Sequence, residues 1–174
     1  MIGKVTFDLE PCAQGFIPPA CTFEDRGELL KVHVSILAPD AEARNTIRDN
    51  VVAHLLASYP DVEILLPVDE DSGSDKRWYV LLVAETSNGY GLGRDWPYDL
   101  KTKGFKVKET CEKLVSKVLK DLKRELEHGG CVDEYMQDQM VVFQALAARK
   151  AKIGGGKQGV SLHTQTARWV VKKM

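Results

Sequence analysis

The run Ser161-Leu162-His163-Thr164-Gln165-Thr166 holds the histidine of this chain best placed to do chemistry. Val160-Ser161-Leu162 reads as a short strand and Thr164 to Lys173 as a helix, which sets the imidazole at a strand end just ahead of a helix N-terminus. A helix start offers unpaired N–H groups, here with threonine hydroxyls beside them, and that combination attracts an anion. A neutral imidazole next to a bound phosphate could attack the α-phosphorus of a nucleotide while the helix N-terminus steadies the phosphate charge. A structural histidine at the same place is the competing reading.

A second segment, Cys131-Val132-Asp133-Glu134-Tyr135-Met136-Gln137-Asp138-Gln139-Met140, has suggestive spacing. A helix should start near Asp133-Glu134, two acids set favourably against its N-terminal dipole, and run through Ala148. On that helix Tyr135, Asp138 and Gln139 fall at i, i+3 and i+4 and share a face. An aromatic ring, a carboxylate and an amide on one face can stack on a base and bond a ribose and its phosphate. The same spacing also describes a plain exposed polar face. Met136, Met140 and Phe143 lie on a neighbouring face suited to the core.

The charges are unevenly spread. The whole chain carries a formal −1, yet residues 1–100 carry −9 and residues 101–174 carry +8. From Arg149 to Met174 the chain holds Arg149, Lys150, Lys152, Lys157, Arg168, Lys172 and Lys173 and no acid. A basic end on a near-neutral protein is a candidate polyanion site, with a phosphate-rich ligand the natural guess. A solvated basic tail reads the same way.

Other motifs fail their chemistry. Gly156-Lys157 resembles the tail of a P-loop, but Gln158 stands where Ser or Thr should hold Mg²⁺, and Ala151 replaces the earlier glycine. Gly89-Tyr90-Gly91-Leu92-Gly93 lacks the third glycine of a dinucleotide fingerprint. The acidic run Asp69 to Asp75 lacks the spaced oxygen ligands and closing Glu of a calcium loop and reads as a solvent-facing loop. Cys12, Cys21, Cys111 and Cys131 form no paired zinc spacing and read as free thiols, Cys111 on a helix's apolar face.

These groups need a scaffold, and the chain can build one. Its 174 residues, 44% hydrophobic and 28% charged, fit a globular domain or slightly more and exclude a disordered or fibrous class. No apolar run has the length of a membrane span, and the first residues lack a signal peptide's apolar core. A soluble, intracellular protein of nucleus or cytoplasm, with no membrane partner, is the expectation. Strands are expected over residues 4–10, Leu29 to Leu37, Val62 to Val68 and Trp78 to Glu85. Helices are expected after the N-cap Asp40, ending at Tyr59-Pro60, and from Val107 to Leu126, stopped by His128-Gly129. Residues 91–104, with Pro97 and several glycines, read as irregular. Interleaved strands and helices without repeats give an α/β or α+β class.

Taken together, Val132 to Ala147 followed by Leu162-His163-Thr164-Gln165-Thr166-Ala167 closely resembles the RNA 3′-terminal phosphate cyclases. Weaker similarity extends upstream through Gly3-Lys4-Val5 with Pro11, Asp25-Arg26-Gly27 and Ala84-Glu85-Thr86-Ser87. The resemblance implies an ATP-dependent enzyme of the ligase class. Such enzymes adenylylate a histidine, pass AMP to an RNA 3′-phosphate, and let the neighbouring 2′-hydroxyl displace AMP to leave a 2′,3′-cyclic phosphate. It implies that His163 carries the AMP and that Tyr135, Asp138 and Gln139 contact ATP. It also implies that a divalent cation, Mg²⁺ or Mn²⁺, shields phosphate charge, a role that needs few dedicated protein ligands. Arg149, Lys150, Lys152, Lys157 and Arg168 would contact RNA phosphates.

The fold implied is a catalytic domain of repeated βαβαββ units interrupted by a smaller inserted α/β domain. By position, residues 24–128 would be the insert, with residues 1–23 and 129–174 belonging to the catalytic domain. Two repeats would precede the equivalent of Met1, and closing strands would follow a chain that stops 11 residues after His163. The expected partners are RNA 3′-phosphate ends, with a second copy of the chain or the absent repeats completing the sheet. Ser74-Asp75-Lys76-Arg77-Trp78 and Lys101-Thr102-Lys103-Gly104-Phe105-Lys106 depart from the family's small-residue patterns. The alternative reading is a catalytically silent, cyclase-like RNA-binding protein of RNA processing or ribosome assembly.

Overall fold

A computed structural model describes residues 6, 8–99, 106–157 and 159–173. Strand β1 is Thr22–Phe23 and β2 is Leu29–Ala38. In β2, Val32, Val34, Ile36 and Ala38 alternate inward and are fully buried, the pattern of a strand covered on one side. Helix α1, Ala41–Ser58, begins where the Asp40 carboxylate accepts the Ala43 N–H at 2.7 Å. It stops at Tyr59, whose helical conformation is disfavoured by Pro60.

Strand β3, Glu63–Asp71, returns parallel to β2, while β4, Arg77–Thr86, lies antiparallel on its other side. Strand β5, Gly91–Asp99, forms a hairpin with β4 and completes a sheet ordered β3-β2-β4-β5. Helix α2, Val107–His128, packs with α1 on one face of that sheet. Its stripe of Cys111, Leu114, Val118 and Leu122 meets Ile47 and Val51 of α1 and Val80 and Leu82 of β4 in a single core. Gly129, at φ 77°, ends α2 in the left-handed conformation that glycine adopts without strain. Arg26 then satisfies the helix end, its guanidinium donating to the Leu126 carbonyl.

Helix α3, Glu134–Leu146, strand β6, Lys152–Ile153, and helix α4, Leu162–Val171, complete the order. Among the described residues this is a mixed α/β fold with two sheets and four helices. No described helix is long and apolar enough to cross a membrane.

Several sequence expectations change. Residues 91–99 are a strand, because Leu92 and Arg94 alternate inward and Pro97 is tolerated at a sheet edge. The acidic run is not wholly loop, since Asp69, Glu70 and Asp71 pair with β2. Of the strand expected over residues 4–10, positions 4, 5 and 7 lie outside the described residues, and 6 and 8–10 have no regular structure. Met136 and Phe143 are 44% and 56% exposed rather than core, while Gln137 and Val141 are buried. Helix α3 packs chiefly against α4, and it does so with its Gln137–Val141 side.

Candidate functional site

Ser161 sets the position of His163. Its hydroxyl accepts the Thr164 N–H at 3.2 Å and caps α4, so the helix begins at Leu162 and residues 160–162 are not a strand. His163 is therefore the second residue of the helix, exposed, and its ring takes no hydrogen bond or ion pair from the described residues. The threonine hydroxyls expected to meet an anion are used internally. Thr164 is fully buried with its hydroxyl 3.0 Å from Ser161 Oγ and 3.5 Å from Gln137 Oε1, and Thr166 donates to the Leu162 carbonyl at 2.8 Å. What α4 leaves uncapped among the described residues is the pair of N–H groups of Leu162 and His163, beside an exposed imidazole.

Helix α3 starts differently. The Asp133 carboxylate accepts from Tyr135 N–H at 3.0 Å and Met136 N–H at 2.7 Å, so a negative charge already occupies this N-terminus. Of the two helix starts, the one carrying His163 is capped by a hydroxyl rather than by a carboxylate. Tyr135 is 67% exposed, and the Arg94 guanidinium lies 5.1 Å from its ring centroid. Asp138 is half-buried, and Gln139 is exposed with its amide donating to the Tyr135 carbonyl at 3.3 Å. By helical geometry these three point away from Gln137, the residue that reaches α4. No hydrogen bond or ion pair among the described residues joins His163 to Tyr135, Asp138 or Gln139. What links their helices is the Gln137–Thr164 contact.

The starts of α3 and α4 and the end of α2 meet around a cavity of about 200 Å³ lined by Arg124, Glu125, His128, Glu134, Gln137 and Ser161. Burial pushes the Glu125 carboxyl above its ordinary value, and the neighbouring Arg94 works against that. A larger cavity, about 580 Å³, lies against Leu37, Trp78, Tyr79 and Tyr98 and shares no residue with this cluster.

The loop from Gly154 to Lys157 packs on the end of α2. Gly156 sits at φ 71°, and a Cβ there would meet the His128 carbonyl at 2.6 Å. Lys157 N–H bonds that same carbonyl at 2.7 Å. The glycines are there because the loop lies directly on the end of α2. Of the basic candidates, Arg149, Lys150, Lys157 and Arg168 are exposed, whereas Lys152 pairs with Glu24 at 2.9 Å. Among the described residues no three His, Cys, Asp or Glu side chains converge as a metal site.

A family model described as RNA 3′-terminal phosphate cyclase matches residues 2–174. The chain belongs to the RNA 3′-terminal phosphate cyclase family. It is similar to a probable RNA 3′-terminal phosphate cyclase of Dictyostelium discoideum, at 30% identity over 179 aligned residues covering 99% of this chain. The chain spans 39% of that relative's length. Within this cyclase-family chain, sequence reasoning missed Gln137, Ser161 and Arg94. Ser161 carried a signal, being a capping residue three positions before the Thr164 N–H it binds; Gln137 and Arg94 carried none.

Proposed function

We propose that this chain supplies the histidine and nucleotide-contacting segment of an ATP-dependent RNA 3′-phosphate cyclase. The observation that carries the reading is His163 itself: an exposed imidazole, without a hydrogen-bond or ion-pair partner among the described residues, in the first turn of a helix whose N-terminus no described acidic side chain caps. Membership in the RNA 3′-terminal phosphate cyclase family supports this reading.

In the first step an imidazole nitrogen attacks the α-phosphorus of ATP, the N–P bond forms, and pyrophosphate leaves with the bond it held. The N–H groups at the start of α4 steady the charge on the phosphoryl oxygens. A terminal oxygen of the RNA 3′-phosphate then takes AMP from the histidine, which regenerates the imidazole. Last, the adjacent 2′-hydroxyl attacks the 3′-phosphorus, loses its proton, and expels AMP to close the cyclic phosphate. Tyr135 stacks on adenine, and Asp138 and Gln139 face the ribose. A divalent cation, if bound, would shield the charge of the triphosphate, a role that calls for few protein ligands. Residues 24–128 act as an insert, and exposed Arg149, Lys150, Lys157 and Arg168 attract RNA phosphates.

The test is conversion of an RNA 3′-phosphate end to a cyclic phosphate with release of one pyrophosphate per end. His163→Ala should abolish both, and His54→Ala, on α1, should abolish neither. The uncovered apolar side of α3, with Phe143 at 56% exposure, favours a second reading in which the chain binds RNA or protein without catalysis. RNA binding with no pyrophosphate release from the unaltered protein would select it.

A further inference from the structure

Arg94 has no role in the reading above, yet it is among the most constrained side chains in the molecule. It sits on β5, 7% exposed, with its guanidinium donating to buried Glu125 and, at 3.2 Å, to Glu134 of α3. Asp133 stands 3.8 Å away and the Gly93 carbonyl accepts at 2.9 Å. With the ring of Tyr135 over the same group, one cation engages a sheet edge, the end of α2 and the first turn of α3.

We propose that Arg94 is a positioning residue for the nucleotide: it holds the Tyr135 ring at a fixed angle, leaving the ring's other face for the base. The proposal rests on the assignment of Tyr135 to the ATP site. An exposed tyrosine on a first helical turn ordinarily samples several rotamers, and a ligand that stacks on it must fix one. Here the ring is backed on one face before any ligand arrives. Arg94 cannot itself meet a ligand phosphate, because three carboxylates and its own burial occupy it. A guanidinium suits the task, since its planar fork can bond carboxylates at its edge and stack through its face at once, which an ammonium cannot do. The arrangement is costly in its own right: Arg94 Nε and Glu125 Oε1 are buried without a hydrogen-bond partner among the described residues. Buried ion pairs with such gaps contribute little net stability, so geometry rather than stability is the gain.

Lys117 of α2 supplies the control. It too lies over an aromatic ring, 4.9 Å from the Trp96 centroid, and pairs with Asp121 at 2.6 Å, but it does not line the cavity at the starts of α3 and α4. The experiment measures binding of ATP and of inorganic tripolyphosphate, which has no base, to the full chain by calorimetry. Arg94→Lys should weaken ATP by roughly three- to tenfold, the scale of a partly desolvated cation–π contact, and leave tripolyphosphate unchanged. Lys117→Met should change both by less than about twofold, because its ring contact and ion pair lie outside the candidate site. In a Tyr135→Leu background, Arg94→Lys should cost nothing further. Should Arg94→Lys not fold, the double change Arg94→Gln with Glu125→Gln removes both buried charges together and carries the same expectation.

Equal weakening of ATP and tripolyphosphate would reduce Arg94 to a structural residue and overturn the proposal. So would an undiminished loss in the Tyr135→Leu background. If Tyr135→Leu alone leaves ATP affinity intact, the assignment of Tyr135 falls and takes the Arg94 proposal with it. Failure of AMP transfer with ATP binding retained would strike the catalytic reading and leave Arg94 standing.

Discussion

Helices α2 and α3 follow one another in the chain, yet they treat their apolar residues in opposite ways. Helix α2 buries Cys111, Leu114, Val115, Val118 and Leu122 to 1% exposure or less against the sheet and α1. Helix α3 buries only Gln137 and Val141 and leaves Met136, Val142, Phe143 and Leu146 open. The residues expected to do chemistry belong to α3 and α4, while the residues that hold a core belong to α1, α2 and the four-stranded sheet. Local stability should differ accordingly, because segments with little buried apolar surface open at lower cost than a packed core.

The largest difference between the two helices is expected in the core. Leu114→Ala, in α2, should cost about 2–5 kcal/mol in a urea titration, the range for emptying a filled apolar site. Phe143→Ala, on the open side of α3, should stay within about 0.5 kcal/mol, as surface changes do. Comparable losses would mean that the two helices are equally packed in solution.

A smaller effect tests whether the two regions are joined. Gly156→Ala places a Cβ against the His128 carbonyl at a left-handed φ, and strain of this kind costs about 1–3 kcal/mol. The loss should come with faster amide exchange at the Lys157 N–H, whose acceptor is that carbonyl. A neutral outcome would mean that the glycine loop lies off the end of α2.

The smallest effect separates two lysines of the basic segment. Removing a lysine that touches an RNA phosphate lowers the salt slope of binding by about one. Lys150→Glu should show that change, and Lys152→Glu should show less, because Lys152 already pairs with Glu24. Equal slopes would mean the Glu24 pair does not persist when RNA is bound.

Most of the packed region was legible in sequence. Apolar stretches of strand length marked β2 and β4, the stripe from Val107 to Leu126 marked α2, and Asp40 and Gly129 marked helix ends through local hydrogen bonding and φ alone. Strand β5 was not legible, because glycines and Pro97 are breakers by composition and become tolerable only at the edge of a sheet that the sequence does not display. The two-residue β1–β6 pair is too short to carry a period. In the site, the helical spacing of Tyr135, Asp138 and Gln139 and the helix beside His163 were readable. The uses of Thr164 and Arg94 were not: each depends on a partner far away in sequence, Gln137 for the threonine and Glu125 with Tyr135 for the arginine.

The proposed chemistry turns on which atom takes AMP. The most direct measurement incubates the full chain with α-labelled ATP, isolates the labelled protein without acid, and maps the adduct by mass spectrometry. The expected result is a single acid-labile AMP on the peptide carrying His163, absent in His163→Ala and retained when His33, His54 or His128 is replaced. An adduct on Lys157 or another residue, or labelling that persists in His163→Ala, would contradict it.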